Sequence, residues 1–266
     1  MRYDRNGAGE PLVLIHGVGS RRGVWEPVAG LLAGHHDVVA VDLPGFGDSA
    51  AEPGADGSVD GYADAVERLL HNLGIERAHV VGNSMGGGVA LELGRRGVAL
   101  SVTAFSPIGM YRAPGIAWGR SAIRGLRVLA RVLLPVLPAL FGVRALKVLL
   151  VGLLYGRPAD LDPGRALADS VGIARASGFQ PALARLGWWR PAMWPGLQAI
   201  PVTIAWGTRD RLLTYRTQSA RARRLLPSAR HVGLPGCGHI PFPDDPAACL
   251  AAVLSTTAVR EAGAIS

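Results

Sequence analysis

Several features that would assign the chain to a special class of protein are scarce or missing from its 266 residues. Only Cys237 and Cys249 occur, which is too few for a disulfide scaffold, and their spacing does not fit a metal site. The first apolar run, Leu12 to Ile15, is too short for the core of a signal peptide. No internal repeat or low-complexity linker is visible. These absences predict a reduced, cytoplasmic protein built around one domain, without a bound metal.

Acidic residues are scarce in one segment. Residues 107–195 contain 12 basic and three acidic residues, whereas the rest of the chain holds 16 basic and 17 acidic ones. The formal net charge of +8 therefore belongs to a single segment, and we expect no nucleic-acid partner. The apolar run Val128 to Tyr155 lies in this segment, but charged residues and prolines interrupt it. A membrane-spanning helix is therefore not expected there.

Short apolar runs alternate with helical patterns in both outer portions of the sequence, which indicates βα units that build a mostly parallel sheet. The predicted strands are Leu12–Ile15, Asp37–Val41, His79–Val81, Ser101–Phe105, Val202–Trp206 and His231–Leu234. The predicted helices are Tyr62–Leu73, Met85–Arg95, Tyr215–Leu226 and Pro246–Thr257. The sequence thus predicts an α/β fold with a mostly parallel central sheet flanked by helices.

The alternation stops after Ser106 and resumes at Pro201. The segment between them has no clear strand and is rich in leucine, proline and glycine. We predict that residues 107–195 form a helical cap, inserted into a core made of residues 1–106 and 196–266. We call residues 107–195 the cap.

A serine lies at a predicted strand-to-helix corner. Residues 79–87 read HVVGNSMGG, an apolar strand followed by G-x-S-x-G and a helical pattern. Such a corner lifts the serine hydroxyl clear of the sheet, and Gly82 and Gly86 remove side chains that would collide in the turn. A bare G-x-S-x-G also arises by chance, but its place between a strand and a helix favours catalysis. We predict that Ser84 is a nucleophile.

A serine hydroxyl needs a base that takes its proton. His239 lies in the glycine-rich loop PGCGHIP after the last predicted strand and is the best placed of the seven histidines. A loop histidine that only binds backbone is the alternative interpretation. We predict that His239 is the general base.

The histidine in turn needs a carboxylate that orients it. Asp210 directly follows the predicted strand Val202–Trp206, where such a carboxylate is expected. Asp244 and Asp245 lie just before the last predicted helix, and we expect them to cap its N-terminus. Asp42 also ends a strand, but it precedes the serine. Asp210 is therefore the predicted partner.

Acyl transfer also needs N–H donors for the oxyanion. We predict that one is the backbone N–H of Met85, at the corner itself. The second is predicted to be that of Val18, in the loop LIHGVG after the first strand. His16 in this loop is predicted to hold the loop by hydrogen bonds rather than to act as a second base.

Five motifs in this order resemble the α/β-hydrolase family. They are HGVG at 16–19, DLPGFGDS at 42–49, GNSMGG at 82–87, GTRD at 207–210 and GH at 238–239. The resemblance covers most of the chain outside the cap, and the order serine, aspartate, histidine is that of the family. It implies a cofactor-free Ser-His-Asp hydrolase whose cap covers the nucleophile. The short N-terminus implies that the first strand or two of the sheet are missing.

Single positions differ between the chain and four subgroups of that family. Similar dehalogenases and epoxide hydrolases use an aspartate where Ser84 stands. Hydrolases of carbon–carbon bonds usually have a tryptophan where Ile240 stands, and cofactor-free haloperoxidases typically have an aromatic residue at Val18. An ester hydrolase is the leading hypothesis. Hydrolysis of a vinylogous diketone, haloperoxidase or perhydrolase activity, and a non-enzymatic binding module are the alternatives.

The composition of the cap completes the expectations. Its many leucines predict a small substrate with a hydrophobic acyl or alcohol group. Its arginines at 120, 124, 127 and 131 share one helix face. That face would contact an anionic membrane surface weakly, gather acidic substrates, or lie in solvent. The tryptophans at the ends of the cap either line a pocket or pack as a hinge; they are Trp118, Trp188, Trp189 and Trp194.

Overall fold

The computed structural model describes residues 1–52, 56–192 and 194–263. Its strands are β1 (Arg2–Asn6), β2 (Pro11–Ile15), β3 (Asp37–Asp42), β4 (Ala78–Asn83), β5 (Ala99–Phe105), β6 (Val202–Gly207) and β7 (Arg230–Leu234). They form one sheet in the order β1-β3-β2-β4-β5-β6-β7, and all neighbours are parallel except β1 and β3. The predicted α/β fold with a mostly parallel sheet is confirmed.

The edge strand β1 forms where the sequence predicted no strand. It pairs antiparallel with β3, from Arg2 opposite Asp42 to Asn6 opposite Val38. All five of its residues are exposed, so the alternation of apolar and polar residues that marks a half-buried strand is missing. Charged pairing helps to hold this edge, since Arg5 Nε donates to the carboxylate of Asp37 over 2.9 Å.

Helices cover both faces of the sheet. They are α1 (Glu26–Ala33), α2 (Val59–Asn72), α3 (Met85–Arg95), α4 (Ala113–Leu133), α5 (Leu137–Gly142), α6 (Arg144–Val151), α7 (Pro163–Arg175), α8 (Phe179–Arg185), α9 (Pro195–Gln198), α10 (Tyr215–Leu225) and α11 (Pro246–Gly263). Alternate residues of β2 serve the two faces: Val13 and Ile15 join the cluster under α2 and α3, whereas Leu12 and Leu14 join the one under α1 and α11. All four predicted helices form; α1 and the short α9, which begins at the last residue of the cap, are additional.

Between β5 and β6, the described residues form the helices α4 to α9 and no strand. None of the helices in the described part of the chain combines the length and apolar character that crossing a bilayer requires. The helix α4 packs mainly on α7, and α5 and α6 also contact α7. The helix α7 therefore lies at the centre of this helical layer.

Three of the four arginines on α4 bind the ends of neighbouring helices. Arg127 Nη2 and Arg131 Nε donate to the carbonyl oxygens of Ala176 and Ala174, over 2.9 and 2.8 Å, at the end of α7. Arg120 donates to two carbonyls at the end of α8. The last carbonyls of a helix lack partners within it and carry the negative end of its dipole. These arginines thus join the cap helices, a role that the sequence did not reveal.

Candidate active site

Ser84 occupies a strained turn between β4 and α3, with φ 57° and ψ −114°. This conformation is rare for a residue with a side chain and marks a constrained site. The turn is possible because two glycines allow close packing. A Cβ atom at Gly82 would lie 2.0 Å from Gly86 O, and one at Gly86 would lie 2.1 Å from Ile15 O. The tight corner expected from the G-x-S-x-G pattern is therefore present.

His239 and Asp210 are hydrogen-bonded to each other and are both buried. The distance from His239 Nδ1 to Asp210 Oδ2 is 2.8 Å. The other oxygen, Asp210 Oδ1, accepts hydrogen bonds from the backbone N–H groups of Leu212 and Leu213 over 3.0 and 2.8 Å. The loop after β6 thus fixes the carboxylate. His239 and Ser84 line the same pocket, so the structure brings the three predicted side chains into one site.

Asn83, the residue before the nucleophile, holds the histidine loop. Its Nδ2 donates to His239 O over 3.0 Å and to Phe105 O over 3.2 Å, and the side chain is buried. The sequence predicted no separate role for this asparagine, which appeared only as part of the motif GNSMGG. A buried amide next to the strained serine is well placed to fix the distance between the two loops.

Asp244 and Asp245 have separate roles. Asp245 caps α11 as predicted, since its carboxylate accepts a hydrogen bond from the first turn over 2.9 Å. The prediction of a capping role for Asp244 was wrong. Its carboxylate accepts hydrogen bonds from the N–H groups of Gly156, Arg157 and Gly238, each over 2.8 Å. It therefore joins the histidine loop to the chain after α6, because this buried anion needs several donors.

The loop after β2 lies against the nucleophile. A Cβ atom at Gly17 would lie 3.0 Å from Ser84 Cβ. His16 Nε2 accepts a hydrogen bond from the N–H of Leu43 over 3.0 Å, so its Nδ1 carries the proton and donates to Gly17 O over 2.8 Å. Burial lowers the pKa of His16, which favours this neutral form. Its predicted structural role is confirmed, and Val18 follows it into the pocket.

The pocket above Ser84 is mostly apolar and most of its wall comes from the cap. The cap contributes large apolar side chains that include Ile123, Leu126, Leu137, Phe141, Leu154 and Ile173. The four cap tryptophans are not among its lining residues. Two of them contact residues outside the cap: Trp118 Nε1 donates to Arg211 O over 3.1 Å, and Trp189 Nε1 donates to Glu92 Oε2 over 3.3 Å. These two tryptophans therefore join the cap to the rest of the chain, and a hinge at this place stays a prediction.

Four further polar side chains for which the sequence predicted no role also line this pocket. They are Ser20 on the loop after β2, Tyr155 after α6, and Asp169 and Ser170 on α7. The Tyr155 hydroxyl donates to Asp169 Oδ2. Burial raises the pKa of the Asp169 carboxyl above its ordinary value, although the tyrosine hydrogen bond acts the other way, and burial also raises the pKa of Tyr155. In the sequence, the signal for this group is Asp169, an acidic residue within a leucine-rich helical segment.

Comparison with known proteins agrees with this geometry. The model of the alpha/beta hydrolase family matches residues 12–252. An uncharacterized protein of Mycobacterium tuberculosis is 34% identical over 255 residues, which cover 91% of this chain and 73% of that protein. An epoxide hydrolase of the same organism is 34% identical over 195 residues, covering 69% of this chain and 87% of that one.

Among solved structures, a bacterial membrane phospholipase A described as a virulence factor superposes with a TM-score of 0.74 and 25% identity. The superposition covers 97% of this chain and 82% of that chain. Three observations point to the same family: the motifs in the sequence, the order of the strands in the sheet, and the family model that matches most of the chain. The chain belongs to the alpha/beta hydrolase family.

Proposed function

We propose that the protein is a serine hydrolase that cleaves carboxylic esters with a hydrophobic acyl or alcohol group, using Ser84, His239 and Asp210. One observation carries the proposal. Ser84, in its strained turn, and His239 line the same apolar pocket, and His239 Nδ1 lies 2.8 Å from the buried carboxylate of Asp210. This is the arrangement in which a serine hydroxyl becomes a nucleophile at neutral pH.

In this proposal, Ser84 Oγ attacks the ester carbonyl while its proton passes to His239 Nε2. Asp210 holds the Nδ1 proton and stabilises the imidazolium that forms. The backbone N–H groups of Val18 and Met85 bind the oxyanion. The proton then passes from the histidine to the leaving alcohol, and the acyl group stays on the serine. Water, deprotonated by the same histidine, releases the carboxylic acid and restores the serine.

The apolar wall of the pocket supports a hydrophobic ester, because each buried methylene contributes about 0.8 kcal/mol to binding. The similarity to a protein named phospholipase A points the same way. The similarity to an epoxide hydrolase favours a different reaction, but similar epoxide hydrolases use an aspartate as nucleophile, and this chain has Ser84. Hydrolysis of a carbon–carbon bond, haloperoxidase or perhydrolase activity and a binding role without catalysis are alternatives that experiment can separate.

A fluorophosphonate probe tests the nucleophile directly. We expect it to label the wild-type protein and the Ser228→Ala variant, which alters an exposed serine far along the chain, but not Ser84→Ala. Turnover of aryl and alkyl esters of increasing chain length, compared with a vinylogous diketone, then identifies the reaction. Labelling that persists in Ser84→Ala, or turnover of the diketone alone, would contradict the proposal.

A further inference from the structure

The apolar pocket contains two buried oxygen atoms that have no hydrogen-bond partner among the described residues. They are Asp169 Oδ1 and Ser20 Oγ, and both residues line the pocket together with Ser84. Buried polar atoms are almost always paired in folded proteins, because leaving one unpaired destabilises the fold. Two such atoms in one pocket therefore point to a group that arrives with the substrate.

The two residues lie on segments that pack against each other. A Cβ atom at Gly19 would lie only 2.7 Å from Ile173 on α7, so α7 rests directly on the loop that carries Ser20. Asp169 precedes Ile173 by four residues and therefore shares its helix face. The segments that carry this carboxylate and this hydroxyl are therefore in contact, and both residues line the same pocket.

Tyr155 leaves one carboxylate oxygen available for a ligand. Its hydroxyl donates to Asp169 Oδ2, which orients the carboxyl group and leaves Oδ1 unpaired. Among the described residues that line the pocket, Asp169 is the only acidic one, and the others are mainly apolar. Such a site discriminates strongly between substrates, since a substrate without a matching polar group leaves both Asp169 Oδ1 and Ser20 Oγ unpaired.

We propose that Asp169 and Ser20 bind a hydroxyl group of the substrate, which donates to Asp169 Oδ1 and accepts from Ser20 Oγ. The inference rests on the proposed ester hydrolysis and narrows it: the substrate is an ester that carries an apolar chain and a free hydroxyl group away from the reacting carbonyl. A hydroxyl group fits because it is both donor and acceptor, whereas an ether or an alkyl group cannot donate.

Matched esters test this subsite. Aryl esters of straight-chain acids would be compared with the same esters bearing one hydroxyl group at successive positions. For wild type, we expect the hydroxyl group at one position to raise kcat/KM by about tenfold or more, as two hydrogen bonds allow. In Ser20→Ala and Asp169→Leu the ratio of hydroxylated to plain ester should fall towards one. The Ser20→Ala variant carries the test if Asp169→Leu does not fold.

Ser170→Ala is the matched control. Ser170 lines the same pocket, but its hydroxyl donates to a helix carbonyl over 2.8 Å, so the ratio should stay at the wild-type value. A wild-type ratio near one at every position, or an unchanged ratio in Ser20→Ala, would overturn the subsite while leaving ester hydrolysis in place. Absence of turnover on every ester would instead refute the proposed function, and the subsite with it.

A second observation concerns the outer surface of the cap. Of the eleven large apolar side chains that are exposed in the described residues, eight lie between positions 118 and 149. They are Trp118, Val128, Leu129, Val132, Val136, Val143, Val148 and Leu149, which we call the apolar cap surface. Val132 is 70% exposed and Leu149 is 78% exposed. Concentrated exposure of this kind marks a surface that meets another apolar phase or partner.

The stretch of chain that carries the apolar cap surface has charges of one sign. Residues 107–159 contain eight basic residues and no acidic one. Arg124 and Arg144 are exposed beside the apolar cap surface, on α4 and α6. Apolar side chains among exposed arginines suit the interface of a bilayer with anionic lipids.

The apolar cap surface also leads into the pocket. Leu129 is both exposed and part of the pocket lining, and Leu150 lines the pocket next to the exposed Leu149. We infer that the apolar cap surface docks on an anionic lipid bilayer, so that a hydrophobic substrate passes from the lipid into the pocket. This inference concerns an encounter with the bilayer surface and does not depend on the ester chemistry.

Sedimentation with vesicles tests this docking. We expect the protein to bind vesicles of mixed phosphatidylglycerol and phosphatidylcholine, and to bind pure phosphatidylcholine at least tenfold more weakly. The double variant Val132→Ser, Leu149→Ser should lose at least tenfold in binding, whereas Leu31→Ser, which alters an exposed leucine on α1, should not. No binding to anionic vesicles, or a dimer that only the double variant disrupts, would overturn the inference.

Discussion

Replacing Asp210 by asparagine tests the orientation of His239, and the structure sets the size of the effect. The two carboxylate oxygens have different partners: Oδ1 accepts from the N–H groups of Leu212 and Leu213, and Oδ2 contacts His239 Nδ1. An asparagine that keeps its oxygen toward the two N–H groups presents its NH2 to the histidine. Nδ1 must then accept, the ring proton moves to Nε2, and that nitrogen can no longer take the proton of Ser84.

This wrong tautomer costs about 10⁴ in kcat, which corresponds to about 5.5 kcal/mol. The flipped amide would restore the productive tautomer, but it would leave the two loop N–H groups facing another donor. At about 1–3 kcal/mol for each unsatisfied group, the flip costs about 2–6 kcal/mol. A flip that costs about 2 kcal/mol leaves about one molecule in thirty in the productive form, so we expect kcat to fall by between about thirtyfold and about 10⁴, with the larger value if the amide never flips.

The assay is steady-state hydrolysis of the best aryl ester, together with thermal denaturation of each protein. Asp210→Asn should keep nearly the wild-type melting temperature, because both loop hydrogen bonds survive. Asp245→Asn is the control, since asparagine caps a helix as well as aspartate does and activity should remain. A fall in kcat of less than tenfold in a folded Asp210→Asn protein would mean that another group orients His239.

Three further substitutions follow from the packing of the site. Gly86→Ala would place a Cβ atom 2.1 Å from a backbone oxygen of β2, so we expect the free energy of unfolding, measured with urea, to fall by about 3 kcal/mol or more. A Cβ atom at Gly125 meets nothing within 4 Å, so the control Gly125→Ala should not destabilise the protein. Asn83→Ala removes the 3.0 Å hydrogen bond to His239 O. We expect kcat to fall about tenfold and the free energy of unfolding to fall by about 1–3 kcal/mol. An unchanged kcat would contradict the positioning role of Asn83. Burial raises the pKa of Asp169, so the protonated carboxyl contributes its full stability below the unfolded pKa of about 3.9, and this contribution is lost as pH rises through the folded pKa. The free energy of unfolding of Asp169→Asn, measured with urea, should therefore increase relative to that of wild type between pH 4 and pH 7.5. A difference between the two proteins that does not change with pH would contradict the burial of this group.

The sheet could be predicted because its inner strands are buried on both faces. Strands such as β2 and β4 are short, continuous and apolar, and that pattern is readable without knowledge of their neighbours. The edge strand β1 lacks such a pattern, since its five residues are all exposed. Its structure depends on β3, which lies more than thirty residues away in sequence. Strands held by one neighbour alone are therefore those that sequence reasoning misses.

The candidate catalytic side chains could be proposed because each follows a strand at the same edge of the sheet, where loops converge. The roles of neighbouring residues depended on contacts across the chain. Asp244 is next to the capping Asp245, yet it binds N–H groups of residues 156, 157 and 238. Likewise, the arginines of α4 form the regular spacing of a solvated face, but three of them bind the ends of α7 and α8. Spacing along a helix predicts which side chains share a face, and not what that face meets.

The sequence itself sets Asp169 apart from the other acids of the cap. The cap has only three acidic residues, Asp160, Asp162 and Asp169. Asp162 precedes Pro163 and begins α7, where its carboxylate accepts a hydrogen bond from Arg165 N over 2.8 Å, as expected of a capping residue. Asp160 lies in an exposed turn. Asp169, in the middle of α7, has no such local explanation. An acid that neither caps a helix nor lies in a turn must find its partners in the tertiary structure, and here Tyr155 pairs one carboxylate oxygen while the other has no partner among the described residues.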